Sequence, residues 1–219
     1  MQFAFDFNDV SKRVIAGQAG RKTRIVPRRK SISQPCLPGL ERRGVDSFFL
    51  VLGPDEEAAE CIRRSVHAEL VVRRHLQIWP KKGHLPHISL LGLGAYDGIP
   101  RDRVAGVAKI AEGFSHPGFD VSFDTLMRFR RSNAVVLTGG DDGCIRRFRL
   151  SLHEALRAGG LRVPGGSSFT PHMTLLYSTS PFEDCRVSAV QWRADKFFLI
   201  HSMVGDSKHV VLGRWPLRG

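Results

Sequence analysis

The chain has 219 residues, of which 42% are apolar, and it carries a net charge of +12. This length and apolar content suit one domain of ordinary size with its own core. The sequence contains no run of about 18 apolar residues and no apolar leader with a cleavage site, so it predicts neither a membrane span nor secretion. The four cysteines are far apart and form no C-x-x-C pair, which favours a reducing compartment and argues against a zinc ribbon. We therefore expect a cytoplasmic protein, and a monomer.

The first 43 residues differ from the rest of the chain in charge and in pattern. Residues 1–43 hold ten Lys/Arg and three acids, a net charge of +7, whereas residues 44–219 hold twenty-three and eighteen, a net charge of +5. Apolar residues in the first segment are sparse and without period, so we expect a disordered basic arm over 1–43 and a folded domain over 44–219. The arm is interpreted as a solvated tail or as sequence upstream of the true start codon. The alternatives are an arm that contacts nucleic acid and, against the early Asp6 and Asp9, a transit peptide.

From Val45 the apolar residues become periodic and predict strands and helices. The first helix begins after Pro54, where acidic residues in the first turn favour the positive end of the helix dipole. The inward helix residues are predicted to be Ala59, Ile62, Val66 and Leu70 in the first helix, Val104, Val107, Ala108 and Ala111 in the second, and Ile145, Phe148, Leu152 and Leu156 in the third. The predicted elements are, in chain order, a strand at 45–53, a helix from 54, a strand at 84–93, a helix at 101–113, strands at 119–129 and 133–138, a helix at 142–158, a strand at 170–177 and closing strands at 190–203 and 208–215.

One six-residue pattern occurs twice. Residues 86–91 read P-H-I-S-L-L, and residues 171–176, which begin 85 positions later, read P-H-M-T-L-L. Two copies of P-H-x-[S/T]-L-L with matching flanks are far more specific than one copy. The duplication therefore indicates two related sites, or one site with two related halves.

Strand periodicity places the polar residues of each copy together. Both copies lie in apolar runs typical of buried strands, and side chains at i and i+2 of a strand point to the same face. His87 therefore shares a face with Ser89, and His172 shares a face with Thr174, while the residue between them points to the core. If the two strands are neighbours, two imidazoles and two hydroxyls converge on one pocket.

The surrounding elements repeat with the motif. The order strand, helix, motif strand occurs over 45–93 and again over 134–177. We predict an α+β fold that is bilobal, with pseudo-two-fold duplicated strand–helix–strand units whose antiparallel sheets face a central cleft.

At these residues the sequence resembles the 2H phosphoesterase superfamily, which is marked by two H-x-[T/S]-x motifs. It most resembles the family of RNA 2′,3′-cyclic phosphodiesterases and 2′-5′ RNA ligases. The resemblance covers about 45–217 and includes both motif strands, Q-W-R-A-D-K-F-F-L-I-H-S at 191–202 and V-V-L-G-R-W-P-L at 210–217. It implies hydrolysis of a 2′,3′-cyclic phosphate on RNA or a small nucleotide to a 2′-phosphomonoester, with reversible 2′-5′ RNA ligation as a further activity. It implies no metal and no cofactor.

Histidine titrates near neutral pH and can serve as an acid or as a base. Hydrolysis of a cyclic phosphodiester needs one imidazole that takes a proton from water and one imidazolium that gives a proton to the leaving ribose oxygen. The resemblance implies His87 as the acid and His172 as the base; the residues by themselves leave the order open. Ser89 and Thr174 are predicted to bind the substrate phosphate, where they donate hydrogen bonds to its non-bridging oxygens. The alternative is that both histidines are satisfied residues of the core.

Two positions depart from the resembled family. Many relatives carry an aromatic residue at the position of Gly92, three residues after the first hydroxyl, and an arginine at the position of Tyr177. All four motif residues are present, so we expect catalysis to be kept. The two departures are expected to affect recognition of a base or of a second phosphate, and the RNA-joining activity. Tyr177 and Arg130 are candidate substrate contacts. Arg130, with its neighbours Arg128 and Arg131, is also interpreted as part of a solvated turn.

Other residues carry weaker signals. The spacing of His84 and His87 is that of a metal-ligand pair, but the intervening proline and the strand context separate their faces, and we predict no metal site. The three tryptophans, Trp79, Trp192 and Trp215, are candidates for base stacking, but core packing is the interpretation that the sequence favours.

Two rival functions stay open, namely a nucleic-acid-binding module without turnover and a phosphodiesterase for a small cyclic phosphate of the ADP-ribose type.

Overall fold

A computed structural model describes residues 45–72, 86–165, 168–203 and 208–219. The predicted arm over 1–43, Trp79 and His84 lie outside the described residues. None of the helices in these described ranges is long and apolar enough to cross a membrane. The elements are, in chain order, β1 Asp46–Leu52, α1 Glu56–Val72, β2 Ile88–Tyr96, α2 Arg101–Glu112, β3 Phe119–Phe129, β4 Ala134–Thr138, α3 Gly143–Ala158, β5 Met173–Tyr177, β6 Cys185–Ala194, β7 Lys196–Met203 and β8 Lys208–Pro216.

The strands form one eight-stranded sheet in the order β6-β3-β4-β5-β2-β1-β7-β8. Neighbouring strands are antiparallel throughout, which confirms the α+β class and the antiparallel pairing. We predicted two sheets that face each other, whereas the two four-stranded halves join at the centre, where Ile88 pairs with Met173. The cleft between two lobes stays a prediction.

Each half of the sheet is arranged in the same way outward from the centre. A motif strand, β2 or β5, lies innermost, and the strand that precedes it in the duplicated unit, β1 or β4, lies beside it. A helix, α1 or α3, connects the two strands of each unit. The repeated strand–helix–strand order read from the sequence is therefore present in both halves.

The three helices contribute to one hydrophobic core. Buried residues of all three helices, such as Ile62, Val107 and Phe148, belong to the same cluster as Phe48 and Leu50 of β1. The burial of apolar side chains on one face of the sheet is the main stabilising term of such a layer. Ser89 is exposed and Thr174 is partly exposed, so the motif hydroxyls lie at the edge of this core.

The inward helix faces agree with the periodicity except in α1. Its buried residues are Ala58, Ile62 and Val66, so the face begins one residue before the predicted Ala59, because residues four apart on a helix share a face. The side chain of Leu70 lies outside the described residues. The predicted faces of the other two helices are buried, with Ala108 only partly so.

Two strand predictions need correction. The region predicted as one strand over 190–203 is two strands that break at the exposed Asp195, and β6 begins earlier, at Cys185. The carbonyl of Asp195 accepts a hydrogen bond from the Leu217 N–H at 2.7 Å, which takes it out of the β6 ladder. The motif strands also begin later than predicted, immediately after His87 and His172.

Candidate active site

Each motif strand contains a β-bulge directly after its hydroxyl residue. In the ladder between β1 and β2, Val51 pairs with Ser89 and its neighbour Leu50 pairs with Leu91, so that Leu90 is skipped. The ladder between β4 and β5 skips Leu175 in the same way, because its pairs are Val136 with Thr174 and Val135 with Leu176. A bulge inserts one residue into the alternation of a strand and re-aims the side chains that follow.

The bulges explain the two consecutive leucines of the motif. Leu90 and Leu91 are 4% and 2% exposed, and Leu175 and Leu176 are each 3% exposed. Strict alternation would send one leucine of each pair to the polar face, whereas the bulge lets both bury their side chains. Residues three apart across the bulge consequently share a face.

This geometry brings Gly92 and Tyr177 to the face of the motif hydroxyls. Gly92 lies three residues after Ser89, and Tyr177 lies three residues after Thr174. Ser89 and Gly92 are exposed, and Tyr177 keeps 59% of its surface exposed. The structure therefore places the candidate contact Tyr177 on the same face as the second motif.

His172 packs against an aromatic residue and binds the backbone. Its ring lies edge-on to Phe129, with the ring centroids 4.8 Å apart and the planes at 67°. Nδ1 of His172 lies 2.7 Å from the carbonyl oxygen of Thr170. A carbonyl can only accept, so Nδ1 carries the hydrogen, and in the neutral ring Nε2 holds the lone pair.

His87 lies in a cluster of three rings. It stacks on Phe49 of β1 with centroids 5.5 Å apart and planes at 26°. The ring of His209, on β8, lies 5.2 Å from that of His87 and 5.9 Å from that of Phe49. No local pattern in the sequence marks His209, because its contact with His87 joins strands far apart in the chain.

The two motifs meet at the centre of the sheet. In the described part of the chain, β2 and β5 share one pair, Ile88 with Met173. In an antiparallel pair, the residue before one partner is level with the residue after the other. His87 is therefore in register with Thr174, and His172 is in register with Ser89, so each imidazole lies level with the hydroxyl residue of the other motif.

A buried valine lies beside each motif hydroxyl residue, on the neighbouring strand. Val51 and Val136, which pair with Ser89 and Thr174, are 2% and 0% exposed. Residues directly opposite on neighbouring strands share a face, so each hydroxyl residue has a buried valine beside it.

The backbone before His172 is held by a buried hydroxyl. Thr138, 7% exposed, donates a hydrogen bond of 2.7 Å from Oγ1 to the carbonyl oxygen of Pro171. The corresponding position after β1 is Gly53, which has no side chain; a Cβ there would lie 3.9 Å from the carbonyl oxygen of Pro86. The second motif is thus fixed by a side chain that the first motif lacks.

The arginines of the β3–β4 turn have different surroundings. Asn133 takes a positive φ of 57° there, which asparagine tolerates, and its side-chain oxygen accepts a hydrogen bond from Arg128. Arg128 therefore helps to close the turn. Arg130 is exposed and directly follows Phe129, the residue that packs on His172, and its role as a substrate contact stays a prediction.

The described tryptophans pack in the interior. Trp192 is 5% exposed and lies edge-on to Phe123, and Trp215 is 8% exposed and packs on Phe197. Their burial favours the core-packing interpretation over base stacking. Within the described ranges, no group of three or more His, Cys, Asp and Glu residues is arranged to hold a metal ion.

Comparisons with known proteins identify relatives of this arrangement. A model of the 2′-5′ RNA ligase superfamily matches residues 49–204, which include both motifs. The apo crystal structure of E. coli LigT is similar with a TM-score of 0.63 and 21% identity, over 80% of this chain and 99% of that chain. The crystal structure of TT0787 of Thermus thermophilus gives 0.60 and 22%, over 79% and 98% of the two chains. At these identities the structures share a fold. No curated protein matches the sequence.

Proposed function

This chain belongs to the 2′-5′ RNA ligase superfamily, and on that premise we propose that it hydrolyses a 2′,3′-cyclic phosphate on RNA or on a small nucleotide. The product is a 2′-phosphomonoester. The observation that carries the proposal is the antiparallel junction of the two motif strands at Ile88 and Met173. It supports a single site that is formed by two imidazoles and two hydroxyls.

The reaction is a displacement at phosphorus. The neutral imidazole of His172 takes a proton from water as the water oxygen bonds to phosphorus. The bond from phosphorus to the ribose 3′ oxygen breaks, and the imidazolium of His87 gives its proton to that oxygen. The two rings end with exchanged protonation states and return to the starting states by exchange with solvent. The protein supplies no covalent nucleophile, and no metal takes part.

The surroundings of His172 support its role as the base. The hydrogen bond from Nδ1 to the carbonyl of Thr170 selects, for the neutral ring, the tautomer in which Nε2 can accept a proton. Ser89 and Thr174 donate to the non-bridging oxygens of the phosphate, where charge builds up in the transition state. Because the site is nearly symmetric, the reverse assignment of acid and base is the alternative that pH-dependent kinetics on each variant must exclude.

We further propose that Tyr177 contacts the base of a nucleotide. It is an exposed aromatic side chain on the face of Thr174, and aromatic side chains stack on any nucleobase. Crystal structures of E. coli LigT complexed with 3′-AMP and with NADP+ are similar in fold to this chain, which favours a nucleotide as the substrate. Arg130, at the adjacent turn, is the proposed contact for a further phosphate.

The test is a panel of cyclic phosphates assayed in the presence of EDTA. It contains the four nucleoside 2′,3′-cyclic phosphates, a short RNA with a 2′,3′-cyclic phosphate end, a cyclic phosphate of ADP-ribose and ribose 2′,3′-cyclic phosphate without a base. We expect turnover of the nucleotides to 2′-phosphomonoesters that EDTA does not reduce. Loss of all turnover in EDTA, restored by a divalent ion, would contradict the two-histidine mechanism.

The same panel separates the rival functions. Turnover of the ADP-ribose derivative well above that of RNA would assign a small cyclic phosphate as the substrate. Binding of RNA with no turnover of any member of the panel would favour a nucleic-acid-binding module. Joining of an RNA with a 2′,3′-cyclic phosphate end to one with a 5′ hydroxyl would show the ligation activity.

A further inference from the structure

The proposed catalytic groups come from two strands that share little backbone pairing. In the described part of the chain the only pair between β2 and β5 is Ile88 with Met173, whereas β1 and β2 pair along most of their length. The placement of the His87–Ser89 pair relative to the His172–Thr174 pair therefore depends on contacts other than this ladder. Catalysis by positioned groups is sensitive to displacements of about 1 Å.

The side chain of Arg149 crosses this junction. Arg149 belongs to α3, which connects the two strands of the second unit, and its Nε donates a hydrogen bond of 3.0 Å to the carbonyl oxygen of Leu90 on β2. Leu90 is the bulged residue that follows Ser89 and is skipped in the ladder with β1. This carbonyl thus has a partner outside the β1 ladder, and the partner comes from the other half of the molecule.

The same guanidinium lies over the segment that leads to the second motif. The guanidinium carbon of Arg149 is 4.6 Å from the ring centroid of Phe169, within the range of a cation–π contact. Phe169 immediately precedes Thr170, whose carbonyl accepts the Nδ1 hydrogen bond of His172. Arg149 therefore contacts the residue after Ser89 and lies one residue from the group that orients His172.

Arg146 holds the same segment from the preceding turn of α3. Its guanidinium donates to the carbonyl of Phe169 and to both carboxylate oxygens of Asp142, at 2.8 and 2.7 Å. This pairing lowers the pKa of the Asp142 carboxyl through the hydrogen bond from Arg146. Arg146 is thereby anchored to α3 and leaves the contact with β2 to Arg149.

The charge and shape of the Arg149 side chain suit a contact that joins β2 to the segment before β5. Burial, and then the charge of Arg146, lower the pKa of Arg149, but a guanidinium stays protonated at neutral pH. A planar guanidinium can donate in its plane and stack through its face at the same time, which the ammonium of lysine cannot do. Arg149 donates in its plane to the Leu90 carbonyl and stacks through its face on the Phe169 ring.

We propose that Arg149 is a positioning residue that fixes the two motif strands relative to each other. It touches neither the substrate nor the reacting atoms, and it acts through the backbone after Ser89 and through the segment before His172. The role rests on the proposed hydrolysis at the same site, because the groups that it positions are the proposed acid, base and phosphate donors.

The kinetic test compares Arg149→Gln with Arg147→Gln. The control removes an exposed charge from the same helix, two residues away. We expect Arg149→Gln to lower kcat for a nucleoside 2′,3′-cyclic phosphate roughly 10- to 100-fold with little change in KM, because the contacts to the nucleoside are retained while the acid, the base and the phosphate donors are displaced. Arg147→Gln should keep both parameters. Equal kcat for the wild type and Arg149→Gln would overturn the proposal.

A double-variant cycle separates positioning from a general loss of stability. Arg149 acts partly on Ser89, so Arg149→Gln should lower kcat by a smaller factor in a Ser89→Ala background than in the wild type. The same factor in both backgrounds would indicate a general effect and contradict the role. If Arg149→Gln does not fold, Arg149→Lys replaces it, and wild-type kcat in the lysine variant would be the contradicting result.

The last measurement does not depend on turnover. Ring resonances of His87 and His172, recorded by NMR on the full chain, should both shift in the Arg149 variant, and neither should shift in Arg147→Gln. Unshifted rings in a folded Arg149 variant would overturn the positioning role. A wild type that hydrolyses no cyclic phosphate would instead defeat the proposed function, while the ring resonances would still decide the role of Arg149.

Discussion

The two halves of the sheet share their motif geometry but differ in what surrounds it. Each half has a histidine immediately before the strand, a hydroxyl on the strand and a bulge at the following leucine. The residue three positions after the motif hydroxyl is Gly92 in the first half, where it pairs with Phe49 on the neighbouring strand. In the second half it is Tyr177, which pairs with Ala134. The large and small residues are thus exchanged between the equivalent strands.

This exchange separates what the chemistry requires from what recognition requires. The shared parts are one imidazole and one hydroxyl from each copy of the repeat, which together make the proposed acid, base and two phosphate donors. The different parts lie just beyond them: a ring stacked on His87 in one half, and the exposed ring of Tyr177, three residues after the motif hydroxyl, in the other. A substrate that is itself asymmetric, with a base on one side of its phosphate, suits such a site.

The largest expected effect is the loss of either histidine. His87→Ala and His172→Ala should each lower kcat/KM by about 10²–10⁴-fold, because each removes one acid–base group. The wild-type rate should be bell-shaped in pH and report two macroscopic ionisations of the coupled pair. Steady-state kinetics between about pH 5 and pH 9 measure both. His153→Gln, on α3, is the control. Near-wild-type turnover in either motif variant would mean that the two halves do not form one site.

The second-largest expected effect is the loss of either motif hydroxyl. Ser89→Ala and Thr174→Val should each lower kcat by about 10²–10³-fold, the cost of one donor to a developing charge. Similar losses would show that both halves hold the phosphate, and a much smaller loss for one would break the symmetry of the comparison. The exposed Ser188 and Thr179 provide the controls Ser188→Ala and Thr179→Val, measured in the same assay.

Tyr177 tests the asymmetric part of the site. Tyr177→Ala should lower kcat/KM for a nucleoside 2′,3′-cyclic phosphate by a factor that corresponds to about 1–3 kcal/mol of base stacking. Tyr177→Phe should keep the rate, and ribose 2′,3′-cyclic phosphate should respond to neither change. A loss of the same size with the base-free substrate would refute the base contact.

A variant at Gly92 can move the aromatic side chain from the second half of the sheet to the equivalent position in the first half. A Cβ at Gly92 would meet no atom within 4 Å, so Gly92→Tyr should fold and place a second ring on the equivalent edge of the first half. In combination with Tyr177→Ala it should restore part of the lost kcat/KM only if a base can bind on either side of the phosphate. The absence of any restoration would show that the substrate binds in one orientation.

The smallest effect concerns the hydroxyl that only the second half has. Thr138→Val leaves the carbonyl of Pro171 without the hydrogen bond from Oγ1 and should lower the free energy of unfolding by about 1–3 kcal/mol. Urea denaturation measures this change, with the exposed Thr179→Val as the control. The stability of the control should be unchanged, and an equally stable Thr138→Val would show that this hydrogen bond does not hold the second motif.

Several features of the site were beyond the reach of strand periodicity. Alternation predicts that each histidine shares a face with its hydroxyl, but it would put Tyr177 on the opposite face from Thr174, since the bulge at Leu175 cannot be read from two adjacent leucines. The start of the α1 face at Ala58 was missed for a similar reason, because the periodicity of one helix leaves its exact phase open until the helix packs.

What the sequence alone determined is the local pattern: two copies of one motif, and the helices and strands that repeat around them. These follow from fixed backbone periods over a few residues. The tertiary structure alone decided that the halves form one sheet and that His209 lies against His87. It also decided that Arg149 reaches Leu90 across 59 residues, because contacts between distant segments depend on how whole elements pack. No local pattern records such packing.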